Sequence, residues 1–415
     1  MSQREGKGAS RLFTRNFTLL LLGQLFSLIG NGALKFALSM YVLEETGSAA
    51  VFGTLLAVSM VPTILLTPFG GVLADRANRR SIMVGLDLTS GAAVLAACAA
   101  FSAGRGLAVT AALLIVLSVL GAFESPTVQA CVPQMLSGDN VLRGNAAVNQ
   151  AAAVTGLAVP FLGSLLYVTF GIRPVLAGTA VCFLLTAALE CFIRLPAPPP
   201  APRQGVGAVL REDLLGSARF LVRERREVLD LLLYAALVSF FIAGVAVVGL
   251  PYLVRSELGL SAQVYGVVES AMGLAAILGG LSVGLLPNVI PMRRLNRLVT
   301  AVGACMVLAG CGLVLPLGAL GRCALLAAFF CAGQTGVSVF SIFAVSAIQQ
   351  RTPEQMTGKV MACVSTISLC AQPLGQLIYG LLFDAAAGSA WTVLLATGAA
   401  VCALGGGSGR VFEKF

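Results

Sequence analysis

Gly70-Gly71-Val72-Leu73-Ala74-Asp75-Arg76-Ala77-Asn78-Arg79-Arg80 joins two long apolar runs through a very short basic loop. The first run ends on a glycine pair and an acid, three arginines follow within five residues, and the next apolar run begins at once. Glycines let helices approach closely. An acid at that position can face a helix N-terminus or pair with an arginine from a neighbouring helix. Taken alone, the cluster has two readings: a basic anchor with a turn, or a latch that holds one conformation of a rocking bundle.

Outward from this loop the same alternation runs along the whole chain. Of 415 residues, 58% are hydrophobic and 11% charged, whereas ordinary soluble domains carry about 25% charged residues. So little polar material cannot cover a surface facing water; hydrocarbon tolerates it. Twelve segments approach the roughly 20 apolar residues that a span needs: about 17–43, 50–73, 81–103, 107–129, 145–169, 174–193, 229–254, 262–286, 298–318, 322–347, 360–383 and 389–408. The last is short, Gly-rich at its end and preceded by a very tight turn. The run from Phe17 to Val42 is too long for the apolar region of a signal peptide and lacks a small-residue cleavage site, so it reads as the first span. The expected class is an all-α integral membrane protein of 12 transmembrane helices in two pseudo-symmetric six-helix halves.

Charge sets the expected orientation. Of the 27 Lys and Arg, 22 fall in the two tails and the loops of one side, and only Arg105, Arg173, Arg255 and Arg322 on the other; Lys35 lies within a span. The positive-inside rule places both termini in the cytoplasm, in the inner membrane of a bacterial-type cell. The longest connection opens with the proline-rich stretch Leu195 to Pro202, a stiff spacer. Leu210, Leu214, Leu215, Ala218, Phe220 and Leu221 then alternate with Arg211, Glu212, Asp213, Arg219 and Arg223, the pattern of an amphipathic helix lying on the interface. The expected organisation is a first half at 1–194, a linker at 195–227 and a second half at 228–415. Two such halves are a signature of transporters built from repeats, whose substrate site lies where the halves meet.

Several functions are disfavoured by composition. Most of the 11 cysteines lie in apolar runs, with no C-x-x-C spacing and no histidine to complete a common zinc site; they read as small buried hydrophobes. No metal and no cofactor is expected. The net charge of +9 is scattered between apolar blocks, which argues against nucleic acid as a partner. No hydrolase or zinc-protease motif and no nucleotide-binding loop occurs, so neither an enzyme nor direct ATP drive is expected. A sensor would carry a sizeable soluble domain, and none is visible. Nothing suggests an oligomer, so a monomer is expected. Without histidine, proton chemistry must rest on Asp, Glu or Lys.

Gly71-x-x-x-Asp75-Arg76-x-x-Arg79-Arg80 resembles the loop 2–3 signature of the major facilitator superfamily, the twelve-helix secondary transporters. Asn78 stands where that family usually has Gly, and Asn also tolerates a left-handed turn. Gly23-Gln24, Ser27-Leu28-Ile29-Gly30-Asn31, Thr46-Gly47-Ser48, Pro133 with Leu142-Arg143-Gly144-Asn145-Ala146, and Thr352 to Val360 resemble the bacterial macrolide and drug efflux branch. The resemblance implies alternating access around a cavity lined by spans one, four, seven and ten, with Gly71, Asp75, Arg76, Arg79 and Arg80 as a conformational latch. In span five, Pro160 and Gly163 match the Gly-Pro stretch of exporters, while Val159 and Ser164 replace expected glycines. Pro373 and Gly375 are the pseudo-symmetric positions of span eleven. Proline frees a carbonyl and glycine permits close packing, as a bending or sliding helix requires. Span four lacks the Arg of many proton-driven members, so coupling is not carried over from that motif.

Ionisable side chains at membrane depth cost at least a few kcal/mol and are functional candidates by default. Lys35, Glu124 and Glu269 are the main ones, with Gln24, Asn31 and Gln334 as polar cavity candidates beside Phe240 and Phe241. Lys35 and Glu269 lie at compatible depths for a contact. Asp87 and Glu190 are expected at the interface or in a structural pair, and Asp384 mostly in solvent. The expected activity is proton-coupled efflux of a small amphiphilic, drug- or macrolide-like molecule, with protons as coupling ion and membrane lipids as surroundings. An importer, a siderophore or metabolite exporter, and a lysolipid transporter on the same fold stay open as alternatives.

Overall fold

The computed structural model describes residues 12–101, 105–195, 226–285 and 295–409. Within these the chain is helical: α1 (Arg15–Thr46), α2 (Ala49–Arg76), α3 (Arg79–Ala100), α4 (Gly106–Met135), α5 (Asp139–Phe170), α6 (Ile172–Glu190), α7 (Arg226–Ala243, continuing to Glu257), α8 (Ala262–Leu285), α9 (Leu295–Val314), α10 (Ala319–Arg351), α11 (Glu354–Ala385) and α12 (Trp391–Gly407). Eleven are long and apolar enough to cross a membrane; α12, with 17 residues, is the shorter one. The twelve expected segments thus each meet a helix. The interfacial helix expected at 210–223 lies outside the described residues, as do the basic residues of both tails and of the loop before α9 other than Arg15 and Arg297.

Local chemistry sets the boundaries. Thr14 caps α1 by accepting from the Phe17 N–H at 3.3 Å. The helix stops at Gly47, whose φ of +62° is left-handed and whose N–H returns to the Leu43 carbonyl. Ser48 starts α2 immediately, accepting from Val51 N–H at 3.1 Å. Asn78 corrects one expectation. Its φ is −68°, and its side chain caps α3 by accepting from Ser81 N–H at 3.4 Å. The loop needs a cap at this position, and no left-handed residue. Helices α4 and α5 overrun their expected spans, to Met135 and from Asp139. Hydropathy locates only the apolar part of a helix, and the backbone ladder continues into the polar interface.

The seventh span departs from regular geometry. Gly244–Gly249 and Leu253–Glu257 are π-helical turns flanking Leu250–Tyr252. Pro251 cannot donate to a residue one turn back, so the ladder must rearrange around it. The wide turns are seated on aromatics of α11: Tyr379 against Gly244 and Phe383 against Gly249.

In packing, α1 lies on α5 and α6, α3 on α4 and α6, and α2 on α4, while α9 lies on α10 and α12, α8 on α10, and α11 on the seventh span. The first six and last six helices meet along two seams, α2 with α11 and α5 with α8. Glycines and small residues bring the backbones together there. A methyl on Gly380 would sit 2.6 Å from the Ala49 carbonyl oxygen, and one on Gly266 would sit 2.7 Å from the Pro160 carbonyl oxygen. Hydrocarbon supplies no hydrophobic drive between helices, so such close van der Waals packing holds the seams.

Candidate functional site

Helix α1 carries a polar stripe. Gln24, Asn31 and Lys35 recur at a spacing that keeps them on one face, beside Ser27. Asn31 Nδ2 donates to Ser27 Oγ at 3.4 Å, and Ser27 Oγ donates to Glu124 Oε1 on α4 at 3.1 Å. Glu124 is half-buried and Gln24 buried, and Gln24 Nε2 has no acceptor. Lys35 sits 11 residues before the end of α1, about 16 Å along the helix axis at 1.5 Å per residue. Its neighbours Ala33, Leu34, Phe36, Ala37 and Leu38 are buried, yet its own side chain is exposed and makes no hydrogen bond or ion pair among the described residues. The structure therefore brings Ser27, Asn31 and Glu124 into one network with Gln24 and Lys35 on the same helix face.

The other candidates lie apart. Glu269 lies one turn after Tyr265 on its own helix, and no ion pair joins it to Lys35 among the described residues. The link across the seam is aromatic instead: the Tyr265 ring stacks on Phe36 with centroids 5.6 Å apart. Gln334 lines a small, mostly apolar pocket within the last six helices, with Ile242, Met272 and Cys305. Phe240 and Phe241 pack on Tyr379 of α11.

Sequence reasoning missed a latch at the end of the bundle opposite the termini. Asp384 at the end of α11 accepts from Ser48 Oγ at 2.5 Å and from Ala49 N–H at 2.6 Å. It is half-buried, not mostly solvated as expected. A carboxylate from the second half thereby caps the N-terminus of α2 in the first, where unpaired N–H groups and the helix dipole favour negative charge. Nearby, Arg255 pairs with Glu44 across the seam, and Tyr167 donates to Glu44 Oε2 at 2.6 Å. Thr46-Gly47-Ser48 carried the helix-end signal. No local pattern could indicate that the acid filling the cap comes from 336 residues away.

Two arginines of loop 2–3 make contacts within their own half. Arg79 donates to the Ala74 and Ala130 carbonyls and to Gln134 Oε1 at 2.8–3.1 Å, and Arg80 donates to the Cys191 carbonyl. Arg76 is exposed. The expected role of the Asp75 side chain lies outside the described residues. Close packing falls on Gly70, against Ala122 and Phe123 of α4, while Gly71 has open space beside it. Of the proposed hinge residues, Gly375 packs directly on the Phe240 carbonyl and Pro160 presents its carbonyl to Gly266, whereas Gly163 faces Ala33 and Phe36 at ordinary contact distance. Pro373 lies within α11 without ending it.

Asp87 and Glu190 meet. Each is 1% exposed, and the two carboxyl groups lie close enough to interact where α3 packs on α6. Both are buried among helices near the end of α6, where the sequence reading allowed a structural pair.

Apolar helices joined along two cross-half seams, with a polar stripe on a central helix, define a multi-pass membrane transporter rather than an enzyme. The sequence matches the Major Facilitator Superfamily over residues 20–375, and the chain belongs to that superfamily. It is 22% identical to macrolide efflux protein A of Streptococcus pyogenes over 388 residues, 92% of either chain. It is 25% identical to the enterobactin exporter of Citrobacter koseri, covering 88% of this chain and 84% of that one. Among solved structures, the nucleoside transporter NupG superposes with a TM-score of 0.73 at 10% identity, covering 97% of this chain and 100% of that one. A bacterial homologue of the iron transporter ferroportin in an inward-facing state superposes with a TM-score of 0.68 at 16% identity, covering 94% and 98%. These last two share the fold.

Proposed function

We propose that this transporter exports a small amphiphilic molecule, drug- or macrolide-like, in exchange for protons. The observation that carries the reading is the exposed Lys35 in mid-span, beside the Ser27–Asn31–Glu124 network, in a conformation latched at the end opposite the termini. A charged side chain is retained at that depth only where water or a ligand reaches it. Alternating access supplies the mechanism: the halves, 1–194 and 228–415 joined by 195–227, rock about the α2–α11 and α5–α8 seams. With both termini in the cytoplasm, the latched end faces outward and the cavity fills from the cytoplasm. Apolar walls hold the substrate beside the polar stripe of α1, and protonation of Glu124 or Glu269 biases the two states. Gly71, Asp75, Arg76, Arg79 and Arg80 serve as the opposing latch once the cytoplasmic end closes. The protein works as a monomer in the cell membrane. The efflux relatives support export over import; the enterobactin exporter keeps a siderophore-type metabolite as the second reading.

The test is accumulation of an ethidium-type cationic dye by inside-out vesicles carrying the protein, with and without an imposed proton gradient. Accumulation that needs the gradient supports proton-coupled efflux. Absence of accumulation by folded protein removes broad drug export and moves the narrow-substrate exporter to first place.

A further inference from the structure

Asp87, Glu190 and Glu124 converge inside the first six helices, away from the latch. Asp87 Oδ1 and Glu190 Oε2 meet no N–H or O–H donor from the rest of the protein. Two carboxyl groups buried side by side, with no donor reaching these oxygens, cannot both stay ionised at low cost, so one of them carries a proton. Gly23 of α1 lies against Glu190, and Glu124 of α4 is close enough to interact electrostatically with both acids. Gln24, beside Gly23 and one turn before Ser27, is 9% exposed and has an unpartnered Nε2. The other titratable groups around the pair are Cys131 on α4 and Cys191 after α6. Arg79 interacts with Cys131 and donates to Ala74, Ala130 and Gln134, while Arg80 donates to the Cys191 carbonyl. Among the described residues no three acids or cysteines are arranged to hold a metal ion, so the cluster suits a proton better than a metal cation.

We propose that Asp87 and Glu190 are a proton-binding pair, loaded in this conformation, which exchanges its proton with the cavity through Glu124. This rests on the proton-coupled reading above. The transfer balances simply. The O–H bond of the pair breaks, an O–H bond forms on the Glu124 carboxylate, and the pair gains one negative charge while Glu124 loses one. From Glu124 the Ser27 hydroxyl and the Asn31 amide lead along α1 toward Lys35. Once doubly ionised, the pair has no donor between its oxygens, and two like charges in a site with 1% exposure repel. The α3–α6 contact must then shift, so proton loss is tied to a change of helix packing. No exposed acid could produce that link, because water would screen it.

Asp87→Asn and Glu190→Gln each replace the proton with a permanent amide donor, so the contact survives and cannot discharge. Each is expected to abolish gradient-driven dye accumulation in inside-out vesicles while leaving dye binding to the purified protein intact. The exchanged pair, Asp87→Glu with Glu190→Asp, keeps two carboxyls and is expected to restore accumulation. Independently, infrared spectra of the purified wild type at neutral pH should contain a protonated-carboxyl C=O band that moves in D2O and disappears in the doubly amidated variant. Normal accumulation by either single variant, or a band unchanged in the double variant, overturns the proposal. Wild-type transport indifferent to the gradient would overturn proton coupling and the release step built on it. Loss of the band in the double variant would still support the buried proton.

Discussion

Asp384 is a single carboxylate that joins an end of α11 to the start of α2, across the two halves. It accepts two charge-assisted hydrogen bonds, from Ser48 and Ala49, at a helix N-terminus. Bonds of this kind contribute about 1.5–3 kcal/mol each. Asp384→Asn is expected to raise the population open at this end at least tenfold, since about 1.4 kcal/mol is a factor of ten. Spin-label distances between the start of α2 and the end of α11 would lengthen; unchanged distances would count against the latch. Lys35 presents the opposite case. It has no partner among the described residues, so Lys35→Gln removes a charge and no contact. Thermal stability should hold or rise while dye transport falls. A stability loss with transport intact would make Lys35 structural. The polar stripe on α1 was legible because charges in an apolar run stand out. The Asp87–Glu190 contact was not, because 103 residues of chain separate its partners.

At the scale of elements, glycines divide into those that seat a neighbouring backbone and those that do not. A methyl at Gly375 would collide with the Phe240 carbonyl, where α11 meets the seventh span. Gly375→Ala should destabilise the protein by about 1–3 kcal/mol, the usual cost of overpacking, read as a lower unfolding midpoint in detergent. Gly163→Ala meets Ala33 and Phe36 at 3.4 Å or more and should be close to neutral; an equal loss at both sites would refute the distinction. Gly163 and Gly375 were singled out together by their resemblance to a hinge pattern. Only the packing separates them, because motif position says nothing about which face meets a backbone. The π-turns of span seven were likewise invisible to a hydropathy window, which registers apolar content and not the ladder. Pro251 was their one local cause.

For the whole molecule, the latched end is secured by a few polar contacts and the seams by close packing. Glu44 and Arg255 are partly exposed, with side-chain accessibilities of 39% and 18%, so breaking the pair should cost only about 0.2–1 kcal/mol. Glu44→Arg alone should therefore shift the population open at this end modestly, by up to about fivefold at 1 kcal/mol. The exchanged pair Glu44→Arg with Arg255→Glu should return it. Spin-label distances across this end check this, and a double exchange no better than the single would show that the pair carries no coupling.

The number of spans and their approximate positions were determined by the sequence alone, because each rests on residues within about 20 positions of one another, apolar length set against bilayer thickness. Membership of the superfamily was readable for the same reason, through a loop signature ten residues long. The tertiary structure decided which charges act together. It joined Asp384 to α2, Tyr265 to Phe36, and Asp87 to Glu190, and it kept Lys35 and Glu269 from pairing. In a bundle of long helices, depth in the membrane can be read from position along the chain. The azimuth of a helix and the identity of its neighbour come only from side chains packing in three dimensions.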